Sequence, residues 1–351
     1  MSQRRTTNNR SKEVKEIVIV GGGLAGLSLG IALLHRGVPV VLKEAGSYPR
    51  HRVCGEFMNG VTIQTLKNLQ IAHLFDDAME HSSAHWWVGD RCVLKAKLPR
   101  PAIGMSRWEM DEKLRKEFQL RGGQLMVKSR EICRPREGLV WAAGRELKRE
   151  SRLLGVKAHF EGVKINGSLE MHLGRGCYIG LTPVTKDLSR VNVCGLFTQY
   201  SHSKGENPLI RAVREGGLTQ LAQRLEGGEI DRLSLVGVRG VGLGAQKIKD
   251  DLCVIGDSER IIPPFTGNGM SMAFEAAESA LASLYRYAQG HESWDQTRKE
   301  ISQRLDRRFQ TRMSLAMKLH QLLINPYGLK VFSVAAASGV LPFNWLHRRL
   351  S

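Results

Sequence analysis

The sequence predicts an α/β fold (α+β overall) that combines a parallel sheet, an inserted antiparallel sheet and C-terminal helices. Three observations lead to this prediction. A β-α-β pattern occupies residues 16–44, short alternating apolar runs follow one another between residues 156 and 200, and long stretches after residue 270 have helical spacing. The 351 residues suffice for one large domain or two closely joined ones.

The β-α-β pattern contains a glycine-rich turn of defined spacing. A buried strand over 17–20 precedes Gly21-x-Gly23-x-x-Gly26, and a helix over 24–34 follows it. The first glycine permits a tight turn, the second lets the backbone approach a pyrophosphate, and the third lets the helix pack close to the strand. The helix N-terminus, which includes Ala25, offers free N–H groups to phosphates.

An acidic residue completes this pattern. Glu44 lies eighteen residues beyond Gly26, at the end of a second apolar run. A carboxylate there accepts hydrogen bonds from the two hydroxyls of an adenosine ribose. An ordinary glycine-rich turn is the alternative, but the strand, the helix and the acidic residue together favour a Rossmann-like dinucleotide-binding unit.

The formal net charge of +18 is the unusual feature of the composition. Such an excess attracts nucleic acid, an anionic membrane or an acidic ligand. The cations are scattered along the chain and aromatic residues make up only 6%, so no stacking platform for bases is indicated. We therefore expect no specific nucleic-acid partner and consider peripheral contact with an anionic membrane the better explanation.

The six cysteines are widely spaced, without a CxxC pair or a metal-ligand spacing, so we expect reduced thiols and no metal. No stretch has the length and apolar character of a transmembrane helix. Residues 1–15 are polar and basic, which is typical of a disordered tail. These features predict a cytoplasmic protein, with the peripheral membrane contact left open.

The remaining elements follow from periodicity and turn residues. A strand pair over 84–98 turns at Gly89-Asp90 and is closed by Pro99 and Pro101, and Ser106 with Glu109 forms a capping box for the next helix. A turn at Asn166-Gly167 separates strands of an expected antiparallel meander. Helices are predicted over 61–69, 107–120, 208–225, 271–289 and 294–323, and strands over 124–127, 138–145, 156–160, 168–173, 176–181, 191–199, 233–241 and 251–257.

The predicted domains alternate along the chain. A dinucleotide-binding domain is assembled from three separate segments, and the strands between them form a second, inserted sheet, to which the family resemblance described below assigns the substrate. The predicted segments are 1–15 (tail), 16–80 (first dinucleotide-binding segment), 81–105 (strands of the inserted sheet), 106–155 (second dinucleotide-binding segment), 156–245 (antiparallel region of the inserted sheet), 246–290 (third dinucleotide-binding segment) and 291–351 (C-terminal helices).

A second glycine-containing turn repeats the logic of the first. Asp257 stands at the carboxyl end of a buried strand, where a carboxylate can bind a polyhydroxyl chain such as ribityl. Gly267 and Gly269 then open a helix whose N–H groups stabilise negative charge. An isoalloxazine ring needs both an anchor for its sugar chain and a positive dipole near its C2 carbonyl.

These motifs together resemble those of FAD-dependent group A aromatic hydroxylases and the related geranylgeranyl-reductase-like flavoproteins. The resemblance spans about residues 16–290 and rests on the first glycine turn with Glu44, Ser106-Arg107-x-x-x-Asp111 and Gly256-Asp257 followed by Pro264-x-x-Gly267-x-Gly269. Arg52-Val53-Cys54-Gly55-Glu56 is closest to the reductase branch. The resemblance implies bound FAD, NAD(P)H as electron donor and a substrate under the antiparallel sheet. It assigns the cofactor to Gly21, Gly23, Ala25, Gly26, Glu44, Arg52, Arg107, Asp257, Pro264, Gly267, Asn268, Gly269 and Met270.

Two positions depart from the family pattern. Ala143 stands where the hydroxylases have an aspartate linked to nicotinamide use, so the electron donor stays open. At 178–183 only Tyr178 and Pro183 remain of the aromatic-rich segment that covers the substrate in geranylgeranyl reductases, which weakens the prenyl interpretation.

Several residues have a functional and a structural interpretation. Cys54 is a weak catalytic candidate or a small residue in a tight loop, and His159 and Tyr178 either line the substrate pocket or are ordinary core residues. Arg107 binds phosphate or pairs with Asp111 across one helical turn. A set of basic residues in the helix over 294–323 either contacts a membrane or packs on the core with its charges in solvent. This set is Arg304, Arg307, Arg308 and Arg312.

The sequence as a whole predicts an FAD-dependent oxidoreductase. The expected reaction is monooxygenation, in which the reduced flavin uses O₂ to hydroxylate a hydrophobic aromatic or polyketide-like small molecule. Reduction or dehydrogenation of a carbon–carbon double bond on the same flavin is the alternative within enzymes. A flavin-binding protein without turnover, for which Ala143 is the main sign, is the alternative outside them.

Overall fold

The computed structural model describes residues 13–165, 168–201, 207–246 and 251–351, so most of the predicted tail and the turn at 166–167 lie outside the described residues. The strands are β1 (Ile17–Val20), β2 (Val40–Lys43), β3 (Phe57–Met58), β4 (Met79–Val88), β5 (Arg91–Gly104), β6 (Gln124–Met126), β7 (Leu139–Trp141), β8 (Leu154–Glu161), β9 (Leu169–Gly174), β10 (Cys177–Pro183), β11 (Arg190–Phe197), β12 (Glu229–Arg239), β13 (Gly244–Ala245), β14 (Cys253–Val254) and β15 (Arg260–Ile261). The α-helices are α1 (Leu24–His35), α2 (Ile63–Asn68), α3 (Arg107–Leu120), α4 (Pro208–Glu215), α5 (Thr219–Glu226), α6 (Gly269–Ala288), α7 (Trp294–Ile324), α8 (Pro326–Ala337) and α9 (Phe343–Leu350).

A five-stranded sheet in the order β14-β7-β1-β2-β6 forms the centre of the first layer, and its paired strands are all parallel. Helices α1, α3 and α6 contribute buried side chains to its core, in which Ile17, Leu27 and Phe274 are fully covered. The carboxyl end of β1 leads directly into the first glycine turn, and the carboxyl end of β14 leads to Gly256-Asp257, upstream of β15 and of the second glycine turn at Gly267 and Gly269. The predicted Rossmann-like arrangement is therefore confirmed.

The second sheet has eight strands in the order β12-β8-β11-β10-β9-β4-β5-β3. Only β9, β10 and β11 follow one another as a meander, because β8 pairs with β11 and β9 pairs in parallel with β4. The predicted antiparallel pairing is found at every junction of this sheet except that of β4 with β9, which is parallel. The chain leaves the sheet after β5, contributes to the parallel sheet, re-enters the second sheet as β8 and then places β9 along β4 in the same direction.

Two predicted boundaries were also wrong. Strand β5 continues past Pro99 and Pro101 to Gly104, because the register with β4 shifts there and neither proline nitrogen has to donate to a ladder bond. The helix predicted over 208–225 is two helices, since Gly217 between them has φ +79°, a conformation that ends α4.

The capping of α3 differs from the prediction. The Ser106 side chain makes no capping bond; instead the free N–H of Arg107 donates to Glu56 Oε1 at 3.0 Å. A carboxylate from a distant loop thus binds the positive end of this helix. The domain boundaries themselves stay predictions.

The C-terminal helices lie against both sheets. Helix α7 packs on α6 with Leu305 and Phe309, and the side chain of Asn325 caps α8 at the break that the sequence indicated. Across the described ranges, no helix combines the length and the apolar character needed to span a bilayer.

Candidate functional site: a cofactor cradle and an apolar cavity

The first glycine turn leaves a gap at one position and is filled by backbone at the other two. A Cβ on Gly21 would lie 2.1 Å from the Ala142 carbonyl oxygen, and a Cβ on Gly26 would lie 2.0 Å from the Gly21 oxygen. A Cβ on Gly23 would meet no atom within 4 Å. Gly21 and Gly26 therefore allow the close approach of strand and helix, while Gly23 faces open space at the start of α1.

Glu44 is buried beside this turn. Its carboxylate accepts hydrogen bonds from the N–H groups of Gly22 (2.8 Å) and Gly46 (2.7 Å) and from Arg50 Nη2 (2.7 Å). Burial raises the pKa of Glu44, but the Gly46 hydrogen bond and the charges of Arg50 and Arg52 outweigh it and hold this pKa below its usual value. Glu44 is thus an ionised acceptor, as ribose binding requires.

Two arginines donate to one buried carboxylate near the first glycine turn. Asp111 is fully covered and accepts from Arg52 Nε at 2.8 Å and from Arg107 Nε at 2.9 Å. The intrahelical pair of Arg107 with Asp111 is therefore present, and Arg107 also lines the cavity described below. Two guanidinium groups on one carboxylate leave a net positive charge, and Arg52 Nη2 is buried without a hydrogen-bond partner in the described part of the chain. A phosphate group fits this donor set.

The second glycine turn faces the first. Gly267 has φ +68°, and its missing side chain makes room for the ring of Phe57, since a Cβ would lie 2.0 Å from that ring. Gly269 and Met270 begin α6, and no side chain caps this helix. Asn268 lies behind the turn, fully buried, with Nδ2 donating to the Leu350 carbonyl oxygen.

A cavity of about 360 Å³ lies between the two glycine turns and the mixed sheet. Most of the sequence-predicted cofactor residues line it: Gly23, Ala25, Arg52, Arg107, Asp257, Pro264, Gly267, Gly269 and Met270. Four predicted cofactor residues do not line this cavity: Gly21, Gly26, Glu44 and Asn268. Gly21 and Gly26 shape the first glycine turn, and Glu44 binds Arg50 outside the cavity. The bare helix N-termini, the acceptor carboxylates and the arginine pair suit a dinucleotide with a pyrophosphate.

A second, almost wholly apolar cavity of about 230 Å³ adjoins the first. Three residues, Phe57, Met171 and Phe265, line both cavities. Its other walls come from β4, β5, β9 and α7–α9 and include Ala84, Trp86, Leu98, Leu323, Phe332, Ala335, Phe343 and Leu346. No sequence motif indicated this cavity, because its walls come from segments that are far apart in the chain. Ala84 and Trp86, two residues apart on β4, both line it, and this alternation was a local sign of a buried face.

Two polar nitrogens belong to residues that line the apolar cavity. Trp86 Nε1 and His347 Nε2 are buried and have no hydrogen-bond partner among the described residues. Burial and the charge of Arg100 lower the pKa of His347, so its imidazole is neutral at pH 7. A bound molecule with a polar substituent would satisfy such atoms, which are costly to leave unpaired.

The weaker candidates lie in different places. Cys54 lines the larger cavity, and burial raises the pKa of its thiol, so the neutral thiol is the form at pH 7. Tyr178 also lines that cavity; burial raises its pKa well above 10, and its hydroxyl lies 3.4 Å from His320 Nδ1. Cys54 as a catalytic group stays a prediction.

His159 lines neither cavity and belongs to a buried charged cluster that the sequence did not indicate. Glu56 is fully covered and accepts from His159 Nε2 at 2.6 Å and from Lys157 Nζ at 3.1 Å. Burial raises the pKa of Glu56, but the His159 hydrogen bond and the Lys157 charge keep it below its usual value. The cluster was missed because Glu56 and His159 are 103 residues apart in the chain.

Three metal-ligating side chains also approach one another here, which the sequence spacing did not predict. His51, His159 and Asp231 each place one ligand atom within 4.8 Å of the others. Lys157 Nζ donates to His51 Nδ1 at 3.1 Å, and burial followed by the Lys157 charge lowers the pKa of His51 to about 4. The neighbouring ammonium group repels a metal cation, so this empty group of ligands carries no metal assignment.

Comparisons with known proteins agree with this geometry. Residues 14–133 match the family model of the FAD binding domain. No curated protein matches the chain by sequence. Solved structures share the fold: a flavin-dependent brominase (16% identity, 96% of this chain and 93% of that chain covered, TM-score 0.72) and Pseudomonas aeruginosa PqsL in complex with 2-aminobenzoylacetate (14%, 90% and 98%, 0.69). A geranylgeranyl bacteriochlorophyll reductase-like protein of Thermoplasma acidophilum is similar too (16%, 93% and 92%, 0.71).

Proposed function

We propose that this chain, an FAD-dependent oxidoreductase with the fold of the flavin monooxygenases and halogenases, hydroxylates a hydrophobic aromatic or polyketide-like small molecule. The apolar cavity that meets the cofactor cavity at Phe57, Met171 and Phe265 is the observation that carries the proposal. A substrate in it would lie next to the flavin and away from bulk water.

The cofactor residues have separate tasks in this proposal. Gly23 and the first N–H groups of α1 would receive the pyrophosphate, with Arg52 and Arg107 adding positive charge. Glu44 would accept from the adenosine ribose, and Asp257 would hold the ribityl chain or the pyrophosphate. The N-terminus of α6 at Gly269 would stabilise negative charge on the flavin. Bound FAD supplies the redox chemistry, and the protein positions and encloses it.

The apolar cavity selects the substrate. Its lining exposes almost only apolar atoms, so burial of the apolar surface of an aromatic or polyketide-like molecule there is favourable. The unpartnered nitrogens of Trp86 and His347 favour a substrate that carries one or two polar substituents. The similar P. aeruginosa protein was solved with 2-aminobenzoylacetate, which supports an aromatic compound of this kind.

Reduction of a carbon–carbon double bond is the second candidate. The thiol of Cys54 lines the cofactor cavity, and a reductase-like protein has the same fold. We expect NAD(P)H as electron donor in either case, although Ala143 in the wall of that cavity replaces the carboxylate linked to nicotinamide use. A flavin-binding protein without turnover is the remaining possibility.

Three measurements on the purified, FAD-loaded chain separate these functions. Reduction of the bound flavin by NADPH or NADH under anaerobic conditions tests for turnover. Incubation with metabolite extracts under ¹⁸O₂ then shows whether a product gains labelled oxygen, as we propose, or two hydrogens, as a reductase requires. If no nicotinamide cofactor reduces the flavin and dithionite-reduced protein also forms no product, the non-enzyme alternative holds.

A matched pair of variants on α8 tests the substrate cavity. Ala335 lines it, so Ala335→Phe fills space that the substrate needs. Ala337, two residues on, is exposed, so Ala337→Phe leaves the cavity unchanged. We expect normal FAD content in both variants and loss of turnover only in Ala335→Phe. Equal turnover in the two would reject this cavity as the substrate site.

A further inference from the structure

Helices α8 and α9 carry apolar side chains on their outer sides, where solvent would otherwise cover them. Tyr327, Val331 and Val334 follow one another at helical spacing along α8 and are 64–79% exposed. Val340 and Trp345, in the turn and in α9, are 72% and 54% exposed. We call these five residues the α8–α9 face. Single exposed apolar residues are common, but five on two adjacent elements are a sign of an interaction surface.

The charge around this face is of one sign. Residues 313–351 contain four cations, Lys318, Lys330, Arg348 and Arg349, and no aspartate or glutamate. Exposed Lys330 lies on α8 beside the apolar stripe, and Arg349 on α9 lies 5.6 Å from the centroid of the Trp345 ring. An apolar stripe with flanking cations is typical of helices that lie on an anionic lipid surface.

Three of the four α7 arginines that the sequence offered for this role form ion pairs within the protein. Arg308 and Arg312 bind buried Glu275, with contacts of 3.1 and 3.2 Å, and Arg304 binds Glu300. The first two ion pairs connect α7 to α6, and the third lies within α7. The membrane interpretation therefore moves from α7 to α8 and α9.

The same two helices enclose the apolar cavity. Val331 is both exposed and part of the cavity wall, and Ala335, Phe343 and Leu346 line that cavity from the inner sides of α8 and α9. A molecule dissolved in lipid would have only these helices between itself and the cavity. An apolar surface next to an apolar cavity fits a lipid bilayer better than it fits a hydrophilic protein partner.

We propose that the α8–α9 face docks on an anionic membrane surface and that the apolar cavity receives its substrate from that side. Docking is independent of the reaction, whereas delivery of a lipophilic substrate rests on the proposed function. Trp345 and Val334 would enter the boundary between headgroups and acyl chains, and Lys330, Arg348 and Arg349 would bind lipid phosphates.

Co-sedimentation of the full-length, FAD-loaded chain with vesicles tests docking without any substrate. We expect binding to phosphatidylcholine vesicles that contain phosphatidylglycerol, weak binding to phosphatidylcholine alone, and a decline as salt is raised. Val334→Glu and Trp345→Glu should each lower the partition coefficient by about tenfold or more, because a charge enters the apolar side of the interface. Lys330→Glu should lower it by a similar factor, since each cation near the surface contributes roughly 1 kcal/mol.

Matched controls come from other exposed positions. Leu233→Glu changes an apolar residue that is 86% exposed on β12, and Lys116→Glu reverses a charge on α3; both should bind vesicles like the unaltered chain. FAD content checks that each variant is folded. The Trp345 fluorescence provides a second readout: it should shift to shorter wavelength on vesicle addition, and Trp345→Phe should remove the shift while retaining binding.

Three results would overturn the proposal. The unaltered chain could stay in the supernatant with anionic vesicles, or Val334→Glu could bind as well as Leu233→Glu. Light scattering could also show a dimer that Val334→Glu dissociates, which would assign the face to a second copy of the chain. Because vesicle binding needs no turnover, a failed monooxygenase assay would leave this test unaffected.

Discussion

Removal of the Glu56 carboxylate should destabilise the protein far more than removal of a surface carboxylate on β8, the strand that carries the partners of Glu56. In Glu56→Ala, the ammonium of Lys157 loses its buried counterion, and both side chains are fully covered. Breaking a buried ion pair from one side costs about 3–5 kcal/mol, because an unpaired charge stays in the interior. The N–H of Arg107 and His159 Nε2 also lose their acceptor. Urea denaturation at pH 7 measures the loss as a lower transition midpoint.

Two further variants make this prediction specific. Glu161→Ala breaks an exposed pair with Arg190 on β8 and should cost no more than about 1 kcal/mol. Glu56→Ala combined with Lys157→Met removes both charges and should recover much of the lost stability. If Glu56→Ala cost no more than Glu161→Ala, or if Lys157→Met made it worse, the buried charge would not be the cause.

Three further outcomes are expected. Gly26→Ala should abolish FAD binding, seen as a colourless protein, because its Cβ would lie 2.0 Å from the Gly21 carbonyl oxygen. Gly227→Ala is the control for an added methyl group, because Gly227 has φ −76° and its Cβ would meet no atom closer than 3.6 Å. Asp111→Asn should lower the urea midpoint, because Arg52 and Arg107 lose their shared carboxylate. FAD should raise the midpoint of this variant more than that of the unaltered chain, since its pyrophosphate would supply negative charge to the two arginines; an equal rise would contradict this. Burial and the charge of Lys157 lower the pKa of His51 from 6.5 to about 4. Between these two pH values the unfolded state binds more protons than the folded state, so the stability of the protein should fall as the pH falls through this window. If the melting temperature of His51→Gln depended on pH in the same way as that of the unaltered chain, this assignment would be rejected.

The two glycine turns could be predicted from the sequence because the residues that indicate them are close together in the chain. In β1 and α1, strand, turn and helix follow one another within twenty residues, and backbone sterics alone require Gly21 and Gly26. The start of α6 at Gly269 could be predicted for the same reason. The contact of Gly26 is with Gly21 in the same turn, whereas the contact of Gly21 is with Ala142, just after β7, so only the first of these two contacts is local.

The sheet and the second cavity were less accessible. The parallel pairing of β4 with β9 depends on where the chain re-enters the sheet, and no residue in either strand encodes that direction. The error in the helix predicted over 208–225 has a different origin: the break between α4 and α5 could have been predicted from Gly216-Gly217 in the sequence. The Glu56 cluster and the apolar cavity arise from contacts between distant segments, which hydrophobic periodicity does not specify.

The loop from Arg52 to Phe57 connects these separate parts. Arg52, Cys54 and Gly55 line the cofactor cavity, and Phe57 lines both cavities. Between them, Glu56 adopts φ +56° and places its carboxylate in the charged cluster on β8.

Other contacts also hold this loop against the sheet. Asn192 Nδ2 donates to the Cys54 carbonyl oxygen at 3.0 Å, and Thr182 Oγ1 donates to that of Gly55 at 2.8 Å. The wall between the two cavities, which the proposed function assigns to flavin and substrate, is thus fixed from behind by Glu56, Asn192 and Thr182, which line neither cavity. Loss of the Glu56 anchor should therefore loosen Phe57 and impair substrate use in molecules that still fold and bind FAD. Loss of turnover in the Glu56→Ala variant at full FAD occupancy, compared with Glu161→Ala, would show this effect, and unchanged turnover would refute it.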